Sequence, residues 1–427
     1  MDEQMKISKL KILQSFLQTK HWTDIEKLRQ FQQKKLRHLL STHKDKFYPN
    51  SLNLEDYPII DKAIFMANFN QINTVGITNE EAFNIAITAE KSRDFSPVFR
   101  SKQSDIAIGL SSGTSGNRGI FLVSQDECAL WAGYILKRML PKPYFKHRKI
   151  AFFLRADSHL YHSVNSRLID FKFYDLFQPL IQHIEKLNQQ QPDILIMPAN
   201  ALKRLAQMED LHISPKKIIS VAEVLEDDAK EQIEKRFRQP VFQAYQCTEG
   251  FLAHSCEYGN LHLNEDAVYI ERDWIDKQNG RFSPIITDFN RESQPVIRYR
   301  LNDILTACDA PCPCGSVFAR IKKIEGRCDD ILIAQTKNGQ LFDLYPDFIR
   351  NTIVGLKQPP QEYRVEQVSG SLKIYLKPMN NDLINDISLA LNQLFEKLKI
   401  KPFHLEFLEY TEPPLHQKFR RICRLKK

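Results

Sequence analysis

Long apolar runs are missing from this sequence of 427 residues, and so is a large excess of either charge. No stretch approaches the roughly 18 consecutive apolar residues that a membrane-spanning helix needs. The N-terminal MDEQMKISKLKILQSF mixes charge into its apolar residues where a secretion signal would be uniformly apolar. The expected location is the cytoplasm, with no membrane partner. The formal net charge is only +8, too dilute for general nucleic-acid binding, which concentrates basic residues on one surface. The one dense basic run, Lys418 to Lys427, is too short to be a binding domain; a solvated tail or a tail facing a nucleotide fits it better. Internal repeats and low-complexity linkers are also missing. With 42% hydrophobic and 26% charged residues, the composition is that of a globular protein, and the length suggests two or three domains.

Cysteine and glycine are scarce, and their placement is informative. Eight cysteines lie scattered from Cys128 to Cys423 in a chain without an export signal, so metal ligation is a better question than a disulfide framework. Of only 14 glycines, four (Gly109, Gly113, Gly116 and Gly119) fall within eleven residues. That density marks a loop whose backbone bends sharply or closes on something.

Residues 1 to about 60 read as helical and polar, with Trp22, Leu28, Phe31, Leu36, Leu39 and Leu40 near helical spacing before a turn at Pro58. From about residue 100, short apolar runs alternate with amphipathic stretches: IAIGL (106–110), IAFFL (150–154), DILIMP (193–198) and KIISVAEVL (217–225). Such alternation predicts an α/β architecture with a largely parallel sheet. Residues 261–329 change to short strand-like pieces, a β-rich subdomain of a large N-terminal domain spanning 1–329. Residues 330–427 run strand, helix, a hairpin around a Ser-Gly turn, then a helix from about 382 to 399, which predicts a separate small α+β domain.

Several segments carry chemistry. The glycine window, IGLSSGTSGNRGIFLVS, places a Ser/Thr/Gly loop between two apolar strands, where backbone N–H groups and hydroxyls can cradle a phosphate. It lacks the GK[ST] ending of a Walker A loop, and a plain hairpin turn is the simpler alternative. VFQAYQCTEG (241–250) ends an apolar strand in a Thr-Glu pair, so a carboxylate there can hold Mg²⁺ against phosphate oxygens. QPVIRYRLND (294–303) ends a strand in Asp303, which can accept ribose hydroxyls. In IEGRCDDIL (324–332), Arg327 follows a glycine turn. The plainer readings are that Asp303 caps a turn, that Arg327 pairs on the surface with Asp329 or Asp330, and that Lys418 is one more solvated lysine. Cys256, His262, Cys312 and Cys314 form two tight pairs separated by 49 residues, enough for a closed Cys₃His zinc site, with Cys308 as an alternative ligand. A turn with buried thiols would also account for them.

Taken in order, SSGTSG, YQCTEG, TDFNRESQPVIRYRLND, EGRCDD and the tail PPLHQKFRRI resemble the adenylate-forming superfamily of acyl-CoA synthetases and adenylation domains. The nearest branch resembles the phenylacetate-CoA ligase-like proteins and the deazaflavin-coenzyme adenylating synthetases. The resemblance implies ATP as substrate, with Ser111, Ser112, Gly113, Thr114, Ser115 and Gly116 as the triphosphate cradle. It implies Glu249 for Mg²⁺, Thr248 for a phosphate, and Tyr245 with the Ser220 to Glu223 segment (including Ala222) beside the adenine. Asp303 and Arg327 would hold the ribose, Asp329 would be the hinge to a mobile C-terminal domain, and Lys418 would act in adenylation. Members of the branch carry a cysteine and histidine set like the one above, which implies structural zinc. Two departures stand out: Arg118 replaces the usual Pro-Lys pair after the loop, and Gln417 precedes the lysine where glycine is common. The implied activity is an AMP-forming ligase that activates a small carboxylic acid, aromatic by the branch, as an acyl-adenylate and passes it to coenzyme A. The alternative is adenylyl transfer to a cofactor, or loading of a carrier protein, without coenzyme A. Candidate pocket residues are Trp131, Tyr134 and Tyr245, and the oligomeric state stays open between monomer and homodimer.

Overall fold

The computed structural model describes residues 5–102, 104–111, 118–157 and 164–425. The chain divides into two compact units, Met1–Leu301 with Leu305–Ile324, and Asn302–Ile304 with Glu325–Lys427. No helix among the described residues is long and apolar enough to cross a membrane.

In the first unit, β1 (Val98–Arg100), β2 (Asp105–Leu110) and β3 (Ile120–Ser124) form a small antiparallel sheet in that order. The strands β4 (Arg148–Leu154), β5 (Ile169–Asp175), β6 (Ile194–Pro198), β7 (Lys217–Val221) and β8 (Val241–Cys247) pair in parallel, in the order β5-β4-β6-β7-β8. The apolar runs at 150–154 and 193–198 are strands as expected, and the run beginning at Lys217 is a strand only to Val221. Beyond β8 the same sheet turns antiparallel through β9 (Gly250–Ser255), β10 (Leu261–Leu263), β11 (Val268–Asp276), β12 (Arg281–Asp288), β13 (Tyr299–Arg300), β14 (Asp303–Cys308) and β15 (Arg320–Arg327). The strand-rich stretch after residue 261 therefore continues the large sheet.

Local chemistry sets the helices. The N-terminal helical region is two helices, Lys9–Gln18 and Ile25–Thr42, with Trp22 between them. The helix Gln125–Met139 starts in a reciprocal cap, the Glu127 N–H donating to Ser124 Oγ and the Ser124 N–H to Glu127 Oε2. It packs beneath the parallel strands through a core that includes Met139, Ile150, Phe152, Ile169, Phe171, Ile194 and Ile219. Glycine is little used to end helices: Arg93, Gln191 and Arg238 close three of them at φ of 59°, 49° and 53°.

Glu127 also reaches a distant segment. Its carboxylate is buried and accepts the N–H groups of Glu292 (2.6 Å) and Ser293 (2.9 Å) and the Ser293 hydroxyl (2.6 Å). The neighbouring Gln294 amide completes the edge of β3, taking the Leu122 N–H and donating to the Ile120 carbonyl.

The second unit contains β16 (Leu332–Gln335) and β17 (Leu341–Leu344) as a hairpin. Its four-stranded sheet runs β20 (His404–Glu409), β19 (Ser371–Lys377), β18 (Glu362–Val368), β21 (Ile422–Arg424). Burial alternates strictly along β18 and β19. Their inner residues share a core with Leu383, Ile387, Leu391 and Phe395, the i, i+4 stripe of the helix Asn381–Lys397. The α+β pattern expected after residue 330 is thus observed.

Asp288 ends β12 buried, and the loss of hydration raises its pKa to about 6, against the pull of Arg291 and the Asn290 N–H; the nearby Glu127 raises it further. Between the unfolded value near 3.8 and about 6, the folded state holds a proton that the unfolded chain has released. Stability from this group is therefore full below that window and falls as pH rises through it, by on the order of 3 kcal/mol. Asp288→Asn should raise the melting temperature at pH 7 and change it little at pH 4. Equal shifts at both pH values, in melts of the two proteins run side by side, would show that Asp288 is not ionised against its burial.

Candidate active site

In open α/β sheets ligands bind outside the carboxyl ends of the parallel strands. Residues at four of those ends stand out, Ala222, Glu223, Thr248 and Glu249 among them as expected. Arg155 follows β4, Asn200 follows β6, Ala222 and Glu223 follow β7, and Thr248 and Glu249 follow β8. Ala222 turns the chain out of β7 at φ 64°, a left-handed conformation that strains any residue with a Cβ. The turn points Glu223 back, where its carboxylate pairs with Arg155 and accepts the Asn200 N–H at 3.1 Å. Arg155 is itself braced, its carbonyl accepting from the Arg93 guanidinium (2.8 Å), which also binds Asp175 at the end of β5 (2.6 Å).

Thr248 and Glu249 form the tip between β8 and β9. The Thr248 hydroxyl donates to Glu249 Oε2 at 2.8 Å, and the Tyr299 hydroxyl is the second donor to that carboxylate. Burial, then the charge of Glu249, push the Tyr299 pKa upward, so the phenol keeps its proton and stays a donor. Asp61 is close enough to Tyr299 to act on it as well. Tyr245 is buried among Leu252, Ala253 and Leu261.

The glycine window forms the β2–β3 hairpin. Of the expected cradle only Ser111 is described; Ser112, Gly113, Thr114, Ser115 and Gly116 lie outside the described residues. At the base of the loop Ser111 N–H donates to the Gly119 carbonyl and Gly119 N–H to Ser111 Oγ, both at 2.8 Å. Arg118, where the family has a Pro-Lys pair, is committed elsewhere. Its guanidinium binds both oxygens of Glu90 (2.6 and 2.5 Å) and the Ser111 carbonyl (2.9 Å). The cation at the loop base is Lys62, whose Nζ donates to Ser111 Oγ at 3.1 Å. Lys62 opens the short helix Lys62–Ala67, whose first turn is capped by the Asp61 carboxylate. A Cβ on Gly119 would stand 3.1 Å from Lys62 Cε, so glycine makes room for the lysine. Gly109 has a different role: a Cβ there would fall 2.2 Å from the Phe121 ring lying across the strand.

In the second unit Arg327 Nε lies 3.9 Å from Asp303 Oδ1, so the two expected ribose residues are neighbours. Asp329 accepts from the Asn302 amide at 2.7 Å. Asp330 gives its side chain to Arg420, two residues past Lys418, and to the Arg327 N–H. Lys418 is half-buried, and the tail behind it is not a solvated basic run. Arg421, Ile422 and Cys423 are buried because β21 pairs in parallel with β18.

Cys256, His262, Cys312 and Cys314 come together with all ligand atoms within 4.8 Å of one another, and Cys308 stands outside the group. Cys256 and Cys312 sulfurs are 3.7 Å apart, and Cys314 Sγ is 3.5 Å from His262 Nε2. A tetrahedral zinc ion with ordinary bond lengths sets its ligand atoms about 3.5–3.8 Å apart, so the residues fit the ion. His262 Nδ1 faces the Phe318 carbonyl at 3.2 Å, and burial keeps the imidazole neutral, which leaves Nε2 to face the sulfurs. Without an ion the thiols cannot all ionise. Burial and the neighbouring sulfurs raise Cys256 and push Cys314 up to about 12, while for Cys312 the opposing effect of burial is outweighed by hydrogen bonds from Cys314, Cys256 and Asn260.

Two residues at the site carried no sequence signal: Lys62, 49 residues before its partner Ser111, and Arg155, in no recognisable motif. Tyr134, expected near a substrate pocket, is consumed in a buried network with Asp266, Arg138 and Trp22. Trp131 packs against the core beneath the parallel strands.

No protein-family model matches the chain. Protein CapK of Staphylococcus aureus is 29% identical over 163 residues, which span 36% of this chain and 36% of that protein. Among solved structures, 2-hydroxyisobutyryl-CoA ligase in the postadenylation state superposes with a TM-score of 0.64 at 15% identity, covering 97% of this chain and 89% of that one. The anthranilate-CoA ligase AuaEII in complex with anthranoyl-AMP gives 0.53 at 12% identity over 75% and 67% of the two chains. ATP-bound MatB from Rhodopseudomonas palustris gives 0.52 at 14% over 78% and 68%. At these identities the likeness is one of fold, and the chain has the α/β fold of adenylate-forming enzymes.

Proposed function

We propose that this chain, folded as adenylate-forming enzymes are, uses ATP to activate a carboxylic acid as an acyl-adenylate and transfers the acyl group to coenzyme A. The observation that carries the reading is the convergence, within the first unit, of three features. Glu249 is held by Thr248 and Tyr299, Asp61 lies near Tyr299, and Lys62 sits against the base of the glycine loop. That is a fixed carboxylate at the carboxyl end of β8 and, from the residue next to Asp61, a fixed cation at the base of the glycine loop. An aromatic acid is the proposed substrate class, supported by the resemblance to phenylacetate-CoA ligase-like proteins.

A carboxylate is a poor electrophile and repels ATP. Lys62 and the N–H groups of the loop would draw the triphosphate in, and the backbone of Ala222 and Glu223 with Tyr245 would flank the adenine. Glu249, with Thr248 beside it, would hold Mg²⁺, which supplies positive charge against the phosphates. The acid oxygen attacks the α-phosphorus in line and pyrophosphate leaves; the thiol of coenzyme A then attacks the activated carbonyl, giving up its proton and expelling AMP. Such catalysis is mostly positioning and electrostatics. Asp303 and Arg327 would hold the ribose, and Lys418 would place a point charge at the α-phosphate during the first step. We further propose movement of the C-terminal unit at Asp329 between the two steps, and structural zinc on Cys256, His262, Cys312 and Cys314, where four protein ligands leave no open position for catalysis.

Pyrophosphate release across aryl, aliphatic and hydroxylated acids, with and without coenzyme A, tests the reading. Release that needs an acid, with a thioester as final product, is expected; ATP consumption indifferent to coenzyme A would transfer the reading to adenylyl transfer. Glu249→Gln, which leaves Tyr299 an acceptor, should cut release by about 100-fold or more at unchanged melting temperature. Lys62→Met should raise the KM for ATP by about tenfold. A Glu249→Gln enzyme with most of its activity removes that residue from the site.

Lys418→Ala separates the half-reactions. Adenylation should slow by a large factor while thioester formation from synthetic acyl-adenylate is spared, because a contact made only in the first transition state cannot alter the second barrier. Equal loss in both steps contradicts the two-state mechanism. Purified protein should contain about one zinc per chain. Well-folded protein without metal, or a Cys312→Ser/Cys314→Ser variant that keeps it, would rule the zinc site out.

A further inference from the structure

The helix Lys9–Gln18 leaves an apolar face uncovered. Its inner face, Ile12, Ser15 and Phe16, lies so tightly on the helix Gln125–Met139 that a Cβ on Gly133 would stand 2.3 Å from the Ile12 carbonyl oxygen. The Ser15 hydroxyl donates to the Leu130 carbonyl at 2.6 Å, which fixes the rotation of the helix. Leu10, Leu13 and Leu17 are therefore held outward, 75%, 44% and 63% exposed. At about 100° per residue they occupy an arc of roughly 60°. Phe145, 67% exposed, stands beside them, its ring 6.4 Å from that of Phe16.

The two chain segments that frame this face carry only basic charge. From residue 5 to residue 23 there are lysines at 6, 9, 11 and 20 and no acid; from 137 to 149 there are Lys137, Arg138, Lys142, Lys146, Arg148 and Lys149 and again no acid. Asp2 and Glu3 precede the first stretch and lie outside the described residues. Lys137 ties the two stretches together, its ammonium over the rings of Phe16 (4.8 Å) and Tyr144 (4.3 Å). Arg138 is spent on Asp266, and Lys11 on Asp126 at 2.6 Å. Lys6 and Lys9, on the chain that carries the leucines, are exposed, as are Lys142 and Lys146 on either side of Tyr144 and Phe145.

We propose that this face docks the protein on an anionic lipid surface, the leucines and Phe145 entering the headgroup boundary and the lysines meeting the phosphates. A single helix presents a ridge. Lipid conforms to a ridge, whereas a folded partner needs a matching groove. Leucines between lysines, with Asp126 already neutralised by Lys11, are the composition of an interfacial helix, which combines buried apolar area with attraction to anionic headgroups. The absence of a spanning segment, from which no membrane partner is expected, does not bear on a helix that lies in the interface. The proposal is independent of the reaction assigned to the active site.

Flotation with phosphatidylcholine vesicles, with and without about a quarter phosphatidylglycerol, tests it. The protein should float with the anionic vesicles only, and raising the salt from about 0.05 M to about 0.5 M should release it. Leu10→Ser/Leu13→Ser/Leu17→Ser should weaken partition about tenfold or more at low salt, and Lys9→Glu/Lys142→Glu/Lys146→Glu should do the same, both with unchanged melting temperature. Failure to float with anionic vesicles overturns the proposal, as does a leucine variant that floats like the wild type. Binding to poly-glutamate that matches vesicle binding and ignores the leucine changes would reduce the face to a plain basic patch. A wild-type dimer that the leucine variant converts to monomer would assign the face to a second copy of the chain.

Discussion

The carboxylate of Glu127 is the junction on which the first unit depends. A buried carboxylate is costly unless its lone pairs are used, and this one takes four hydrogen bonds, from the Ser124, Glu292 and Ser293 N–H groups and the Ser293 hydroxyl. Three pieces of chain meet there: the end of β3, the start of the helix that follows it, and the segment after β12. With Gln294 closing the edge of β3, the hairpin carrying the glycine loop is fixed to the strand whose last residue, Asp288, lies behind Gly250 and the Glu249 tip. The hairpin and the Glu249 tip are thus referenced to one anchor.

Around that anchor the charges are mostly committed in advance. Glu223 is taken by Arg155, Arg118 by Glu90, and the buried Tyr299 phenol by Glu249. Preassigned partners fix side chains before a ligand arrives, so little reorganisation is left for binding. The cysteine and histidine cluster holds a second boundary. His21 reaches the Cys314 carbonyl at 3.0 Å and the Trp22 carbonyl accepts the Val317 N–H at 2.9 Å, so the loop carrying two of the four ligands also pins the link between the first two helices.

What was legible in the sequence follows from local rules. The apolar runs of β4 and β6, the carboxylate that follows β8, the hairpin of β18 and β19 and the helix after it are all written in period and punctuation, whereas Asp303, expected to end a strand, begins β14. Spacing suggested the Cys₃His set but left Cys308 as an alternative ligand, and the fold brings the four together without it. Other features come from tertiary packing that no local pattern encodes. Lys62 belongs to an unremarked short helix and matters only because the fold brings it to Ser111. Arg118 stands where the family has its cation, and only the fold shows it paired with Glu90. The basic tail reads as solvated because its charge hides a strand whose partner, β18, lies about 55 residues earlier in the chain. Gly109 counts toward a phosphate loop in composition and serves aromatic packing in space. The hydrogen bond from Tyr134 to Asp266, 132 residues later in the chain, has no local signal either.

The scarcity of glycine has a consequence at the carboxyl edge of the sheet. Where a glycine would end the helix Asn79–Ser92 without strain, Arg93 does so in a left-handed conformation that costs roughly 1 kcal/mol. Its guanidinium offsets that cost by bonding Asp175 and the carbonyl of Arg155, the residue that aligns Glu223. Helix ends are the first parts of a fold to fray. The alignment of Glu223 therefore rests on a strained helix terminus as well as on the sheet that carries it.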